Sequence, residues 1–520
     1  MALRGAVLAV ALFACGGSGG DDDDAPSDGS TDAPPLPPAK CVAPIELVDV
    51  ATPTTVVGDG SPGSCDATAL STAVAAGGIV TFDCGAAAHT ITLTAPLAAP
   101  TGLDTTIDGG TLITLSGGGS TRILELVHSF EKASPTVTVQ RIKLLNGRTT
   151  DVVNTTATDQ GGAAIYTLGG NIHAIDAVFT DNHGPDTGQD VAGGAIYSVG
   201  AGEVTVVRSV FSNNTCSSGG AVSVLGSSLS IVDSILDHNS TTGTGGNPGN
   251  GGNGGASTMD GQGKSLVLCG ATFTNNTANA FGGAIFRTSY ENEPTTIDQS
   301  VFDGNQIPDG DIGQAGAIYL QGTAIAMTNT SITNNRARFA AAMSVYEHGG
   351  PAPGAIDMTN VTIADNLVWE QDPFTDTGLV GGINVGDRVT GSWLNITLVG
   401  NKAQFASGIG GASTRLTIRN TIIANDWLND FTPLNCNGSP ANGASNLQFP
   451  ANNMSGNDVA CVTGIQFADP LMGALTATKT RVPQAGSPAI GLGTECPPTD
   501  QLGTPRPATG CTAGAVERTP

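Results

Sequence analysis

The sequence predicts an all-β fold, a right-handed parallel β-helix solenoid of about ten or more coils with a short N-terminal capping helix. Three observations carry that prediction. A phrase ending in Asn recurs as DAVFTDN (176–182), RSVFSNN (208–214), DSILDHN (233–239), GATFTNN (270–276), QSVFDGN (299–305), NTSITNN (329–335), NVTIADN (360–366) and NITLVGN (395–401). QRIKLLN (140–146) is a weaker earlier copy, and NTIIAND (420–426) closes the series with Asp426 where Asn is expected. A second phrase lies between these: GGAAIYTL (161–168), GGAIYSV (193–199), GGAVSV (219–224), GGAIFRT (282–288), AGAIYL (315–320), AAMSVY (341–346) and GGINV (381–385). The third observation is composition. Gly supplies 73 of 520 residues, about twice the usual share, and charged residues only 12%, about half of it.

Each phrase reads as a short strand of alternating parity bounded by turn residues. Ile165, Ile196, Val222, Ile285, Ile318, Met343 and Ile383 form one apolar column. Phe179, Phe211, Leu236, Phe273, Phe302, Ile332, Ile363 and Leu398 form another. Coils stacked at about 4.8 Å place like positions above one another, so such columns fill a continuous interior. Asn146, Asn182, Asn214, Asn239, Asn276, Asn305, Asn335, Asn366 and Asn401 are expected to form an inward ladder that satisfies backbone groups where the strand bends. Copies 25 to 37 residues apart mean a constant coil carrying loops of different length. The glycine run GTGGNPGNGGNGG (243–255) reads as one such inserted loop, since it lacks the Lys-Ser/Thr of a phosphate loop.

The remaining elements follow in chain order. Residues 1–15 read as a signal peptide: Arg4 is the basic region, 5–14 an apolar stretch too short to span a bilayer, and Cys15 follows Leu12-Phe13-Ala14. Residues 16–40, with four consecutive aspartates and TDAPPLPPAK, read as a disordered tether. CDATALSTAVAAGG (65–78) reads as the capping helix, with Asp66 near its N-cap and Gly77 beyond its end. The β-helix is expected over 41–430 and a loop-rich cap over 431–520. Export suits the cysteines: Cys65–Cys84, Cys436–Cys461 and Cys496–Cys511 are plausible local disulfides, while Cys41, Cys216 and Cys269 cannot be paired from sequence.

At these residues a resemblance enters. Cys15 and its flanks resemble a bacterial lipoprotein signal, in which the cysteine is lipidated. The GGAI and F-x-x-N phrases resemble the repeats of polymorphic outer membrane proteins and related bacterial β-helix proteins of the pectin-lyase-like fold, over roughly residues 55–430. Residues 469–517 are similar to the tail of the choice-of-anchor Q group, with Gly491 where Asp is common and Leu502 where Arg is common. The resemblance implies a secreted or surface-held protein at the cell outer membrane, lipid-anchored, and leaves activity open, because this fold carries lyases, hydrolases, adhesins and stalks.

Charge and motifs narrow the functional classes. A formal net charge of −25 argues against nucleic acid and anionic membrane surfaces as partners. Arg141-Ile142-Lys143 is present, but there is no Gly-His-Gly and no Asp-Asp outside residues 21–24, so no hydrolytic carboxylate pair can be named. Arg141 and Lys143 are read as solvated residues on a strand. Asp176, Asp233, Asp298 and Arg208 are expected to share a column at a bend, where either a Ca²⁺ site or a solvated turn fits; no other metal or cofactor is expected. By parity Tyr166, Tyr197, Phe286 and Tyr319 point outward, which would suit stacking on sugar rings or, alternatively, on one another. The favoured expectation is a monomeric, lipid-anchored surface rod with adhesive, binding or structural roles and glycans or surface proteins as partners. The alternative is a polysaccharide lyase working on the outer face.

Overall fold

A computed structural model describes residues 38–518, apart from 151–160, 247–248, 309–312, 350–351, 370–377, 412, 428–433 and 454–455. Cys15 and most of the tether lie outside the described residues. The chain winds as a right-handed parallel β-helix whose coils each present three faces. One coil shows the plan: Ile196–Val199 on face one, Glu203–Val207 on face two, Val210–Ser212 on face three. Faces one and two belong to one 23-stranded sheet, and most of face three to a 16-stranded sheet.

Stacking is parallel and in register. Ile165 pairs with Ile196, Ile196 with Val222, Ile285 with Ile318, Ile318 with Met343 and Met343 with Ile383. Ser257 stands between Val222 and Ile285, so Gly254-Gly255-Ala256 is a further copy of the glycine phrase rather than part of an inserted loop. On face three Leu144, Phe179, Phe211, Leu236, Phe273 and Phe302 follow in line, all solvent-free. Phe179 and Phe211 stack with centroids 4.5 Å apart, and Phe273 and Phe302 at 4.9 Å. A Cβ on Gly194 would overlap the carbonyl oxygen of Gly220 in the next coil, so close approach excludes any side chain there.

The asparagine ladder begins at Asn182, not at Asn146. Phe179 aligns with Leu144, so Gly147 takes the ladder position and its amide donates to Asn182 Oδ1 at 2.9 Å. Asn146 is exposed and left-handed (φ 53°), in a turn column with Asp181, Asn213, His238 and Asn275. From Asn182 onward the side-chain amide of each donates to Oδ1 of the next, through Asn214, Asn239, Asn276, Asn305, Asn335, Asn366 and Asn401, at 2.8–3.0 Å. The ladder then continues to Asn425 and Asn435. Asn425 replaces the expected position 426 because the register shifts by one residue between Val399 and Lys402; Asp426 pairs with Lys402 at 3.0 Å instead. Asp458 closes the series, accepting from Asn435 Nδ2 at 2.9 Å. A carboxylate, which only accepts, suits the end of a chain of donors.

A second left-handed column marks the corner between faces two and three: Arg141, Asp176, Arg208, Asp233, Gly270, Gln299, Asn329, Asn360, Asn395 and Asn420. Asp298 lies one residue ahead of it, on the strand, and the acidic column expected there does not form. Arg208 grips Asp176 at 2.8 Å, Arg141 grips Asp108, and Asp233 accepts the amides of Lys40 and Cys41 at 2.9 and 3.3 Å. Arg141 is therefore engaged rather than solvated, whereas Lys143 is exposed.

The front of the rod is covered by the helix Ala67–Ala76, whose N-cap Asp66 accepts from the amides of Thr68 and Ala69 at 2.9 and 2.8 Å. Leu70, Ala73 and Val74 are its buried face. A strap ahead of the helix runs along the outside of the corner column. It is held by the Cys41–Cys269 disulfide, by Val48 hydrogen-bonded to the Gln140 amide, and by Cys41, Ala43 and Ile45 packed on Ile175, Val207 and Val232. Disulfides also join Cys65–Cys84, Cys436–Cys461 and Cys496–Cys511, and Cys216 is buried. Coils continue past residue 430: Asn442–Ala444 stacks on Thr417–Arg419 and Leu447–Phe449 on Ile422–Ala424. One inward position breaks the apolar pattern. Arg287, between Met259 and Leu320, is fully buried, donates to the carbonyls of Lys264 and Pro294, and has its pKa pulled down to about 10 by burial.

Asn276→Ala removes hydrogen bonds to Asn239, Leu236 and Asn305, and is expected to cost about 3–5 kcal/mol in a denaturant melt. Asn146→Gly is expected to stay within about 0.5 kcal/mol; equal losses for the two would contradict the ladder. Cys41→Ser releases a closure spanning 228 residues and is expected to destabilise by about 2–5 kcal/mol in the same assay.

Candidate functional site

The outward aromatic column exists but is not an open platform. Tyr166 pairs with Tyr197, and Phe286 with Tyr319, in register on face one. The loop that leads into face one reaches Tyr197, and the rings pack against one another or against neighbouring aromatic side chains. Tyr166 and Tyr197 are each 2% exposed and Phe286 is 5% exposed; Tyr319 is half-buried. Arg122 lies over Tyr166, and the Tyr197 hydroxyl donates to the carbonyl of Asp190 at 2.6 Å. Phe281, Phe286, Tyr319 and Tyr346 form a continuous run, with Phe286–Tyr319 centroids at 5.3 Å and Tyr319–Tyr346 at 5.6 Å. Tyr166, Tyr197 and Phe286 therefore have no open ring face for a sugar.

Burial shows in the phenols. It pushes Tyr346 up to about 12, and it does the same to Tyr290, where the Asp260 carboxylate adds to the effect. Tyr197 and Tyr319 are raised for the same first reason.

The roomier feature lies on face three. A groove of about 740 Å³ runs between its outer surface and a C-terminal segment that returns along the rod. The floor comes from residues flanking the inward Phe column: Thr272, Thr274, Val301, Asp303 and Ser331. Strand alternation puts Phe273 and Phe302 inward and leaves these neighbours outward. The wall comes from Thr478, Lys479 and Thr499–Gly503, and Lys40 of the strap closes one end. The returning segment is pinned in place. Lys479 pairs with Asp303 at 2.7 Å, Arg481 pairs with Asp365, and Asn360 Nδ2 donates to Thr499 O at 2.9 Å. Gln501 donates to Ser331 Oγ at 2.7 Å and accepts from Thr362 Oγ1 at 2.6 Å. Behind the wall the buried Arg506 pairs with the part-buried Glu517 at 2.7 Å, and burial pulls the guanidinium pKa down.

Thr, Ser, Asn and Gln are the commonest lining residues, beside Val301, Ala477 and Leu502, and the two carboxylates are committed. Asp303 accepts from Thr333 Oγ1 and Asn334 Nδ2 and faces Lys479; Asp500 accepts the amides of Leu502, Thr504 and Glu517. Sequence reasoning missed this groove because its wall joins residues more than a hundred positions from its floor. The run of outward Thr, Ser and Asp beside the Phe column was the one available signal.

In an ultraviolet titration of the folded protein, Tyr290 and Tyr346 are expected to stay protonated until about pH 12, against about 10 for a free phenol. Stability is then unaffected below pH 10 and falls as the pH rises from there through 12, since the unfolded chain ionises first. Ionisation of Tyr290 and Tyr346 near pH 10 would contradict their burial.

Residues 270–286 match the family model of the Chlamydia polymorphic membrane protein repeat. No curated protein sequence matches the chain. Among solved structures, the periplasmic alginate epimerase AlgG is similar at 9% identity and a TM-score of 0.32, over 72% of this chain and 76% of that one. The alginate lyase AlyF-OU02, solved with G6, is similar at 9% identity and a TM-score of 0.34, over 78% and 86%. A PL6 alginate lyase solved with a trisaccharide is similar at 10% identity and a TM-score of 0.31, over 76% and 84%. These likenesses give no residue-by-residue correspondence and assign no activity; what the chain shares in sequence with a known family is one repeat of the polymorphic membrane protein type.

Proposed function

We propose that the protein is an extracytoplasmic β-helix rod, held at the cell surface through a lipid on Cys15, that binds a glycan segment in the groove on face three. The groove is the observation that carries this reading. Its volume of about 740 Å³ lies within the roughly 300–1,000 Å³ range of ligand sites. Its hydroxyl and amide lining matches a ligand made of hydroxyls, and its wall is anchored before any ligand arrives, which lowers the ordering cost of binding. Binding rather than turnover is favoured because Asp303 and Asp500 already carry full sets of partners, so neither is poised as a base. Four disulfides suit an oxidising compartment.

The test is a screen of the mature protein against neutral and acidic oligosaccharides, followed by calorimetry. Gln501→Ala, and Thr272→Arg filling the groove, are each expected to weaken a bound glycan by about tenfold or more, that is about 1.4 kcal/mol. Equal affinity in both variants places binding elsewhere. Release of unsaturated products from any polysaccharide replaces this reading with a lyase.

A further inference from the structure

The outside of the corner between faces two and three is a track for extended chain, and two segments of the protein already lie in it. Along the coils of Gln140, Ile175, Val207, Val232 and Cys269 the strap fills it. Along those of Asn360, Asn395 and Asn420 the returning C-terminal segment fills it. The corner amides treat both alike, by donating to the passing backbone. Gln140 Nε2 donates to Val48 O at 3.0 Å, Asn360 Nδ2 to Thr499 O at 2.9 Å, Asn395 Nδ2 to Thr512 O at 3.1 Å and Asn420 Nδ2 to Thr494 O at 2.7 Å. Between the two covers lie Gln299 and Asn329, and both line the groove on face three. The groove thus opens on the gap between two stretches of bound chain.

The strap reaches the edge of that gap. From Cys41 to Val48 it spends seven residues on four coil steps, about 2.7 Å per residue at about 4.8 Å per step. Cys41, Ala43 and Ile45 face the rod, while Ala39, next in that alternation, is exposed. Lys40 lines the end of the groove, and its Nζ donates to Gln299 O at 3.2 Å. On the same heading, the three steps from Cys269 to the coil of Asn360 take about five residues, which carries the chain back to position 36. Leu36 is the one large aliphatic residue between Gly16 and Lys40, with Pro34-Pro35 before it and Pro37-Pro38 after it. The groove holds its counterpart: Leu502 on the wall is 50% exposed, and Val301 and Ala477 share the lining. Prolines favour an extended segment without internal hydrogen bonds, so its carbonyls are free for corner amides and its ordering cost is low.

We propose that Pro34–Pro37 of this chain docks in the groove, with Leu36 against Leu502 and Val301, and occupies it until another ligand displaces it. The docked segment continues the contact that the strap already makes with the corner. Joined to the groove through Ala39 and Lys40, it is present at an effective concentration of about millimolar, so weak docking is enough to populate the closed state. A glycan and this segment exclude one another; that competition rests on the function proposed above, whereas the docking does not.

Disulfide trapping in the full chain tests this. Leu36→Cys is combined either with Leu502→Cys on the groove wall or with Ala326→Cys, which is exposed on face two in the coil of Asn329. Under a mild oxidant the first pair is expected to bridge within one molecule, as read by peptide mapping, at least about tenfold faster than the second. Equal rates overturn the proposal, since a roaming segment meets both cysteines alike. A bridge between two molecules overturns it as well, by placing a second copy's segment in the groove. Should Leu502→Cys not fold, Asn329→Cys at the corner replaces it. Trapping needs no glycan, so an empty glycan screen removes the function proposed above and leaves the docking standing, while equal trapping rates do the reverse.

Discussion

Everything in this molecule depends on one coil lying in register on the next. A single turn of the chain makes almost none of its own backbone hydrogen bonds, so each amide finds its acceptor one coil away, as Ala195 does in Ala221 and Ala221 in Ala256. The asparagine ladder is the tightest statement of that dependence. Each member holds two donors and one oxygen in a dry bend, and all are satisfied only when the neighbouring coil supplies its own asparagine at the same height. Because the faces and the two left-handed corners are fixed in this way, length variation is confined largely to the segment between the ladder and the glycine phrase. The rigid strands of face three carry the floor of the groove, and the one-off C-terminal segment supplies its wall.

Much of the fold was legible because stacking turns sequence repetition into geometry. The Phe and Ile columns, the capping helix and its Asp66 cap all follow from side-chain parity and turn chemistry. The errors have equally physical sources. Asn146 matched the phrase by spelling, but Leu144 rather than Lys143 is the inward residue, which moves the ladder to Gly147. Asp426 failed for the opposite reason, a register shift that shortens the last copy. Gly254-Gly255-Ala256 hid inside a glycine-rich run because Ser257 stands where an aliphatic residue was sought.

The sites were harder to see. Parity correctly turned Tyr166, Tyr197, Phe286 and Tyr319 away from the interior, yet parity says nothing about what then covers them. The groove needs the return of the C-terminal segment, and the pairing of Cys41 with Cys269 needs the strap to reach back across many coils. Both are contacts between one-off segments and the repeat, and no periodic signal announces them. Along the corner and in the groove the excess negative charge is met by Arg141, Arg208 and Lys479.

The strap gives the rod an unequal response to pulling. A force applied ahead of Cys41 passes through sulfur directly to the coil that carries Cys269, a position 228 residues further on. The coils between those two cysteines are therefore outside the line of tension, and drag on whatever the rod holds would strain its later turns while the earlier ones, with the helix that seals them, stay unloaded.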